Sequence, residues 1–357
     1  MDAEPVEVVV LVCCYNARGD LPALLTSLTN HEEDGIDRRI VVLDNGSTDG
    51  SGAYVKEAFP SVDCVRVEAN RGFAGGNNAG YDYICEAYPK ARYLVLLNAD
   101  TSVARDWLRP LVDAIEKNPD LAAAQPTLRL DPETELVNTT GGVSHYLGFG
   151  MMRDYRQPAS RAESGRGAMH FPSGAAVMLR RDLLDRTGLF DERFYMYLED
   201  ADLGWALRQM GYRIEHVPES LVYHKYAPTA PTRHYRHLER NRWLLLLTYY
   251  RASTLVLLGP ALMLMEMGQL AYSAQQGMLF QKLRAYRDLL HVTTIRHVWR
   301  RRRDAQRRRA VSDAAFLGTC TGAVSLPDGD PWALRWLANP LLRGYWAIAR
   351  RGLSRRV

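Results

Sequence analysis

The sequence predicts a doubly wound α/β domain with a mostly parallel sheet, followed by a helical C-terminal region. Short apolar runs alternate with helical patterns from residue 6 to residue 125, which is typical of strand–helix–strand units. The first run, Val6–Cys14, is almost continuously apolar, as strands buried on both faces of a parallel sheet are. After about Tyr235 no strand pattern remains. We therefore expect an α/β domain over residues 1–234 and a helical region over residues 235–357.

The predicted strands and helices follow each other in chain order. After the first strand, Leu21, Leu24, Leu25 and Leu28 recur at helical spacing. Further strands are predicted at residues 39–43, 62–67, 93–97, 121–125, 175–179 and 212–217, and further helices at residues 51–59, 77–88, 106–117, 182–186 and 201–210. Residues 128–169 are rich in glycine and polar side chains, which predicts long loops or irregular strands that form a flap.

The C-terminal region is apolar and basic as well as helical. Seven arginines lie within residues 300–309, although the net charge of the whole chain is only +4, so acidic partners are expected there. The helices suit either a membrane surface or a contact between subunits, and both interpretations stay open. Because Arg251, Pro260 and Glu266 interrupt the apolar stretch 243–272, we expect no membrane-spanning helix. No nucleic-acid recognition motif accompanies the arginines.

The N-terminal sequence favours a cytoplasmic protein. The chain starts with acidic residues, and its first apolar run ends in Asn16, Arg18 and Asp20, which fits a core strand better than a signal peptide. The five cysteines form no C-x-x-C pair, and their spacing is not that of metal ligands. Reduced, buried thiols are the expectation that follows.

Polar loops follow the predicted strands, at the edge where ligands bind in open α/β sheets. Asp44 closes the second strand and begins the loop 44–50, and the glycine-rich loop 70–78 follows the third strand. Two interpretations stay open for these loops. They line a ligand site, or their Asn, Asp and Gly residues only satisfy the geometry of turns.

Asn98 and Asp100 stand at the exit of the strand predicted at 93–97, and His224 follows the last predicted strand. A carboxylate in this position is a typical ligand of Mg²⁺ or Mn²⁺, and these hard cations pair with the diphosphate of a nucleotide. His224 offers a further metal ligand or a phosphate contact. The alternative for His224 is a partly buried histidine whose ring bonds to the backbone.

Glu199 and Asp200 precede the helix predicted at 201–210, where the helix dipole stabilises negative charge. The aromatic segment 190–197 before them would exclude water and raise the proton affinity of a carboxylate, as a general base for an alcohol requires. The alternative is a simple helix cap, which needs only one of these acids.

Five ordered motifs together resemble glycosyltransferase family 2, and within it the bacterial rhamnosyltransferases of polysaccharide assembly. The motifs are Cys14-Tyr15-Asn16, residues 44–50, residues 70–77, Leu97-Asn98-Ala99-Asp100-Thr101, and residues 190–203 with Glu199-Asp200. The resemblance implies a GT-A fold, a nucleotide-sugar donor, a divalent metal (Mg²⁺ or Mn²⁺) and inversion at the anomeric carbon. Many relatives carry D-x-D where this chain has Asn98-Ala99-Asp100, which puts the strength of metal binding in question.

The resemblance also implies a role for each motif residue. Asp200 would be the catalytic base with Glu199 beside it, Asp100 would hold the metal, and His224 would complete the metal's ligand shell. Asp44 would hydrogen-bond the base of the nucleotide. The other residues expected to line the nucleotide pocket are Tyr15, Asn16, Asn45, Arg71, Gly72, Gly75, Asn77 and Asn98.

The expected activity is transfer of a sugar, with rhamnose from dTDP-rhamnose as the best candidate, to a hydroxyl of a glycan or lipid-linked glycan. A donor based on UDP or GDP, or a non-catalytic membrane-associated module that binds sugar nucleotides, is the alternative. The enzyme is expected in the cytoplasm, peripheral on the cytoplasmic face of the cell membrane, with a homo-oligomer as a further option.

Two other enzyme classes share parts of the pattern. A Rossmann oxidoreductase needs G-x-G-x-x-G after its first strand, but this chain has Cys13-Cys14-Tyr15-Asn16-Ala17-Arg18-Gly19. A sugar-nucleotide pyrophosphorylase should carry a loop rich in glycine and arginine at the same place, and that loop is missing from the sequence. Neither class therefore explains the motifs.

Overall fold

The structure is a computed structural model that describes residues 6–30, 35–162, 169–226, 231–326 and 329–354. Its contacts divide the chain into two units. The α/β unit comprises Met1–Gly142, Met152–Leu207 and Tyr212–Ala227. The helical unit comprises Val143–Met151, Arg208–Gly211 and Pro228–Val357.

A nine-stranded sheet forms the centre of the α/β unit. In chain order its strands are β1 (Val6–Cys14), β2 (Ile36–Asp44), β3 (Asp63–Arg66), β4 (Tyr93–Asn98), β5 (Thr101–Val103), β6 (Leu121–Leu130) and β7 (Val137–Thr139), then β10 (Ala176–Arg180) and β11 (Arg213–His224). Strands β8 (Gly142–Ser144) and β9 (Gly150–Met152), which come between β7 and β10 in the chain, make a separate two-stranded sheet.

The strand order across the main sheet is β3-β2-β1-β4-β10-β6-β11-β5, and β7 pairs with β6. Strands β3, β2, β1 and β4 are mutually parallel, and β6 is parallel to β11. Strand β10 is antiparallel to both of its neighbours. Because parallel strands end at the same edge, Cys14 lies beside Asp44 and Cys13 beside Asn98. The antiparallel β10 starts at this edge, where Ala176 pairs with Leu97.

Helices cover both faces of this sheet. The helices of the α/β unit are α1 (Leu21–Thr29), α2 (Ser51–Ala58), α3 (Gly72–Ala87), α4 (Leu108–Lys117), α5 (Ala159–Ala162), α6 (Arg181–Thr187) and α7 (Glu199–Gln209). Val8, Val10 and Val12 of β1 belong to one buried apolar cluster, and Val9 and Leu11 belong to another. This alternation along one strand confirms that β1 is buried on both faces and that the domain is doubly wound.

Helix α3 starts five residues earlier than the sequence pattern predicted, at Gly72 rather than at residue 77. Gly72 has φ +72°, which glycine adopts without strain, and its N–H donates to Asn70 Oδ1. At Gly76 an added Cβ would lie 2.5 Å from Cys13 Sγ, so glycine lets the helix approach β1 closely. The glycine-rich segment is therefore the first turn of a helix as well as a loop.

Strands β6 and β11, which are neighbours in the sheet, are longer than predicted. Strand β6 reaches Leu130 and β11 runs from Arg213 to His224, because the two strands pair with each other along most of their lengths. The segment 128–169, predicted as loops or irregular strands, contains β7, β8, β9 and α5 among its described residues. Residues 163–168 of the predicted flap lie outside the described part of the chain.

The helical unit consists mainly of α8 (Pro231–Tyr249), α9 (Ala252–Gln275), α10 (Leu279–Leu290), α11 (Val292–Arg308), α12 (Asp313–Leu317) and α13 (Asn339–Ser354), with a π-helical turn at Leu334–Ala338. Within the described ranges, α9 alone is long and apolar enough to cross a membrane, judged by length and composition. Pro260 and Glu266, which interrupt the apolar sequence, both lie inside this one continuous helix, and the absence of a membrane-spanning helix stays a prediction.

One glycine tests how closely the elements of the α/β unit pack. A Cβ on Gly204 of α7 would lie 2.6 Å from Phe171 Cα, and the backbone cannot yield as a flexible side chain does. We expect Gly204→Ala to destabilise the protein by about 1–3 kcal/mol and to lower its melting temperature in calorimetry. The matched control is Gly19→Ala, because an added Cβ there meets nothing within 4 Å. Equal melting temperatures for the two variants would contradict this packing.

Candidate active site

Asp44 lies at the end of β2 and is completely buried. Its Oδ1 accepts a hydrogen bond from the Ser47 N–H at 2.8 Å. Its Oδ2 pairs with Arg66, the last residue of the neighbouring strand β3, whose side chain is half-exposed. A buried carboxylate needs such a partner to offset the loss of hydration. Arg66 was not among the predicted site residues, and its only signal in the sequence is its position at a strand end.

The loops after β1 and β2 are tied together by Asn16. The Asn16 N–H donates to Ser47 Oγ at 3.0 Å, and Asn16 Oδ1 accepts from the Thr48 N–H at 2.8 Å. Asn16 has φ +51°, a left-handed conformation that asparagine tolerates better than most residues. Its neighbour Tyr15 is exposed over 48% of its surface at the same edge. The ring of Tyr15 is thus free to stack on a planar ligand.

Asn45 connects the loop after β2 to the glycine-rich segment. Its Oδ1 accepts from the Arg71 N–H, and its Nδ2 donates to the Gly72 carbonyl, both at 3.0 Å. Asn77 likewise donates from Nδ2 to the Phe73 carbonyl at 2.9 Å. Both asparagines are buried. Their described hydrogen bonds shape the loop, and direct contact of either side chain with a nucleotide stays a prediction.

The glycine-rich segment also contacts the aromatic segment 190–197. Arg71 Nη2 lies 3.1 Å from Glu192 Oε1, and the Ala74 N–H donates to the Tyr195 carbonyl at 3.1 Å. Asn78, which the sequence did not single out, exchanges two hydrogen bonds with the backbone of Phe190. At Gly75 an added Cβ would lie 2.9 Å from Arg71 Cβ. The loop 70–78 and the segment before Glu199 therefore form one packed wall.

Asp100 and His224, distant in sequence, lie side by side. Strand β5 pairs with β11 so that His224 is opposite Thr101, and the Lys225 N–H donates to the Asp100 carbonyl at 2.9 Å. His224 Nε2 is 3.3 Å from Asp100 Oδ1. The histidine is buried, whereas the Asp100 side chain is 37% exposed, so the pair opens toward solvent through the carboxylate.

A third residue, Asn138 of β7, orients this histidine. Asn138 Oδ1 lies 3.0 Å from His224 Nδ1, and both side chains are buried. With its Oδ1 toward the ring, Asn138 accepts from a proton on Nδ1, and the other ring nitrogen, Nε2, faces Asp100. Asn138 lies in the segment without a clear pattern, so no signal in the sequence pointed to it. In the described part of the chain, no group of three or more His, Cys, Asp or Glu could hold a metal.

Asp200 lies in the first turn of α7 and is partly buried. Its Oδ2 accepts from the Gly174 N–H at 3.3 Å, and its Oδ1 accepts from the Ala201 N–H at 2.7 Å. Burial raises the pKa of Asp200 to about 6, although the two N–H groups act in the opposite direction. This pKa is suited to a group that takes up a proton near neutral pH.

Glu199, next to Asp200, is buried more deeply. Burial raises its pKa well above the ordinary value, and the negative charge of Asp200 adds to this effect. The residues just before it adopt left-handed backbone conformations, with φ +61° at Tyr195, +68° at Tyr197 and +64° at Leu198. Such strain in non-glycine residues is concentrated at functional sites, where the surrounding structure holds it.

One short segment connects the Asp100 and Asp200 regions. The Asn98 N–H, two residues before Asp100, donates to the Ala175 carbonyl at 2.9 Å. The adjacent Gly174 N–H donates to Asp200, and the Ser173 N–H donates to Gln125 Oε1 at 2.6 Å. The residues at the exit of β4 and the start of α7 thus lie on the same edge of the sheet. Gly174 was not predicted as part of the site, because its role depends on contacts distant in sequence.

Comparison with known families identifies this arrangement. The model of the family described as "Glycosyl transferase family 2" matches residues 9–188, which extend from β1 to α6 and make up half of the chain. Asp200 and His224 lie beyond the matched residues. The chain is 28% identical over 234 residues to an N-acetylglucosaminyl-diphospho-decaprenol L-rhamnosyltransferase of Mycobacterium tuberculosis, which covers 60% of this chain and 75% of the relative.

Further similarities are more distant. A poly-beta-1,6-N-acetyl-D-glucosamine synthase of Staphylococcus epidermidis is 25% identical, over 60% of this chain and 48% of the synthase. A crystal structure of GalNAc-T7 with UDP, GalNAc and Mn²⁺ superposes with a TM-score of 0.55 at 18% identity, over 70% of this chain and 49% of that one. S. aureus TarS 1-349 in complex with UDP superposes with a TM-score of 0.51 at 14% identity, over 97% and 92%.

These structural neighbours are glycosyltransferases of the GT-A type, so the predicted GT-A fold is confirmed. The family model covers the strands and loops that carry Asn16, Asp44 and Asp100. The chain therefore belongs to glycosyl transferase family 2.

Proposed function

We propose that this protein is an inverting glycosyltransferase that moves rhamnose from dTDP-rhamnose to a hydroxyl of a glycan or lipid-linked glycan. The observation that carries the proposal is the position of Asp200, a carboxylate with a raised pKa, which accepts a hydrogen bond from Gly174, while the adjacent Ala175 contacts Asn98 at the end of β4. The choice of rhamnose is supported by the mycobacterial relative, which is named as an L-rhamnosyltransferase. A UDP-sugar is the second candidate donor, since the two structural neighbours were determined with UDP.

The nucleotide would bind against the loops after β1, β2 and β3. Tyr15 offers an exposed ring for stacking, and the half-exposed guanidinium of Arg66, held by the buried Asp44, lies beside the loop. Arg71, half-exposed next to Glu192, brings a positive charge toward the diphosphate. Asn98, at the end of β4, would contact the sugar part of the donor.

The Asp100 region fits a divalent cation. A partly exposed carboxylate lies beside an imidazole that Asn138 orients. The carboxylate oxygen suits Mg²⁺ or Mn²⁺, and the imidazole nitrogen favours Mn²⁺ of the two. The Mn²⁺ in the GalNAc-T7 structure supports the same assignment. Asp100 and His224 would hold the ion, and a bound ion would neutralise negative charge that develops on the departing diphosphate.

Asp200 would act on the acceptor. Its carboxylate takes the proton of the acceptor hydroxyl while that oxygen forms a bond to the anomeric carbon, and the bond from this carbon to the diphosphate oxygen breaks. The nucleoside diphosphate leaves with the bonding electrons, and attack from the opposite face inverts the configuration. The N–H groups of Gly174 and Ala201 hold the Asp200 carboxylate in place during this step.

Asp200→Asn tests the proposed base. The amide keeps the shape of the side chain but cannot take a proton, so we expect turnover of dTDP-rhamnose to fall about 10²- to 10⁴-fold while nucleotide binding, measured by thermal shift with dTDP and UDP, stays unchanged. The control is Asp182→Asn, an exposed aspartate of α6. Full turnover by Asp200→Asn would contradict the assignment of Asp200 as the base. If the natural protein turns over UDP-sugars alone, the donor is a UDP-sugar and not dTDP-rhamnose.

The pH dependence gives an independent test. A base with a pKa of about 6 is protonated and inactive below this pH and ionised above it, so kcat should rise with pH through about 6 and then level off. Steady-state rates between pH 5 and 8 check this expectation. A rate that does not change across this interval would exclude Asp200 as the group whose ionisation controls the reaction.

Asn138 provides a test of the cation site that does not depend on turnover. Asn138→Leu removes the acceptor for the His224 Nδ1 proton, and loss of such a partner lowers metal affinity about 10- to 100-fold. Mn²⁺ binding followed by electron paramagnetic resonance should show this loss, and Asp100→Ala should show a larger one. Asn138→Asp keeps an acceptor oxygen and should retain affinity near that of the natural protein. Equal affinities for Asn138→Leu and the natural protein would contradict the positioning role.

A further inference from the structure

The exposed apolar surface of this protein is concentrated in the helical unit. Across the described ranges, the large apolar side chains that are exposed lie between Val256 and Ile348, with the exception of Tyr15 and Tyr195. They include Trp299, Trp332 and Trp336, each exposed over roughly two thirds of its surface. Exposed apolar side chains that accumulate in one unit are typical of an interaction site.

Helix α9 presents an uncharged and mostly apolar outer face. The exposed positions from residue 252 to residue 272, all of them described, carry no charged side chain. They are Ala252, Ser253, Val256, Pro260, Met263, Leu264, Met267, Gly268, Ala271 and Tyr272. A helix face in contact with water alone normally carries charged residues. This face is therefore built for an apolar environment.

The inner face of α9 carries its single charged residue, Glu266, which is held in a buried ionic cluster. The cluster joins Glu239 and Arg242 of α8, Glu266 and Gln269 of α9, and Lys282 of α10. Lys282 Nζ lies 2.9 Å from both Glu266 Oε2 and Gln269 Oε1, and Gln269 Nε2 donates to Glu239 Oε1 at 2.7 Å. Its two negative and two positive charges balance, which burial requires.

The ionic cluster prevents α9 from crossing a membrane alone. To span a bilayer, α9 would have to leave these partners or carry α8 and α10 with it. Helix α10 has 12 residues, a length of about 18 Å, which is short of the roughly 30 Å of a hydrocarbon core, and it bears Arg284 and Arg287 on its exposed side. If α9 lies in the plane of the membrane interface, its exposed face contacts lipid. The face that carries the ionic cluster then stays against the protein.

The arginines of α11 and Arg309, the residue after this helix, include two groups that point in different directions. In the first group, Arg302 donates to the Leu247 carbonyl and Arg309 to the Tyr249 carbonyl, so these side chains cap the C-terminus of α8. A second group is exposed, and its spacing of four, three and four residues puts it on one helix face. This exposed arginine row consists of Arg296, Arg300, Arg303 and Arg307. Trp299 and Ile295, exposed near the start of α11, add apolar contacts beside it.

We propose that the helical unit binds the surface of an anionic lipid bilayer, with α9 lying in the interface plane and the exposed arginine row facing lipid phosphates. Helix α10 contacts both α9 and α11, so the apolar face and the arginine row belong to neighbouring helices of one unit. A second copy of this chain would bring a second set of arginines to the contact and repel the first, whereas acidic headgroups complement them. The proposal does not depend on the sugar that the enzyme transfers.

Sedimentation of the purified full-length chain with vesicles tests the partner. We expect binding to phosphatidylcholine mixed with phosphatidylglycerol, weaker binding to phosphatidylcholine alone, and a decrease with salt. Arg300→Gln combined with Arg303→Gln should weaken binding to the anionic vesicles roughly 30-fold, from about 1 kcal/mol per arginine. The control, Arg39→Gln with Arg105→Gln, removes two exposed charges from the α/β unit and should leave binding unchanged. Equal binding to both vesicle types, or a stable dimer that ignores vesicles, would overturn the proposal.

A protease site tests the in-plane position. Gly277 follows α9 in a turn where an added Cβ meets nothing within 4 Å, so we place an inserted cleavage sequence there and check by calorimetry that the variant keeps its melting temperature. If α9 lies in the interface, protein bound to the outside of vesicles remains cleavable at this site by added protease. Met263→Asp with Met267→Asp should abolish the binding that persists at high salt. Protection of the inserted site by the vesicles would show that α9 spans the bilayer and would overturn the proposal.

Discussion

The antiparallel direction of β10 is the constraint on which the site depends. Because β10 runs against β4 and β6, its start lies at the edge where the parallel strands end. The residues that lead into it, Gly174 and Ala175, therefore lie beside Asn98 and beside the first turn of α7. A parallel strand in this place would put that segment at the opposite edge of the sheet. Asp200 would then lose the hydrogen bond from the Gly174 N–H. Hydrogen bonding in the sheet thus positions the proposed base.

The acidic groups of the site lie in two environments that suit different chemistry. Asp100 is partly open to solvent and lies beside an imidazole, so its carboxylate is accessible to a cation. Asp200 and Glu199 are withdrawn from solvent, and this burial raises the pKa of both carboxyl groups. Separate environments of this kind let carboxylates on one fold serve as a metal ligand and as a base. The surroundings of Asp100 and of Asp200 differ because one residue follows the end of β4 and the other lies at the start of α7.

The helical unit also holds charged side chains in its interior. Its buried charges, including Arg242 and Lys282, neutralise one another within the ionic cluster, while its apolar side chains accumulate on the outside. Neighbouring arginines of α11 have different roles, since Arg302 caps α8 and Arg303 faces solvent. The distribution of polar and apolar groups is thus the reverse of that in an ordinary soluble domain over part of its surface.

Local pattern in the sequence determined the alternation of strands and helices, the burial of β1 on both faces and the polar residues at strand ends, because these features depend on neighbours a few positions apart. It also located Asp100, His224 and Asp200, since charged residues at the ends of apolar runs are visible without coordinates. The tertiary structure alone decided the direction of β10, the contact of Asn138 with His224 and the ionic partners of Glu266. Each of these depends on a partner tens of residues away, and such pairings leave no periodic signal in a single chain.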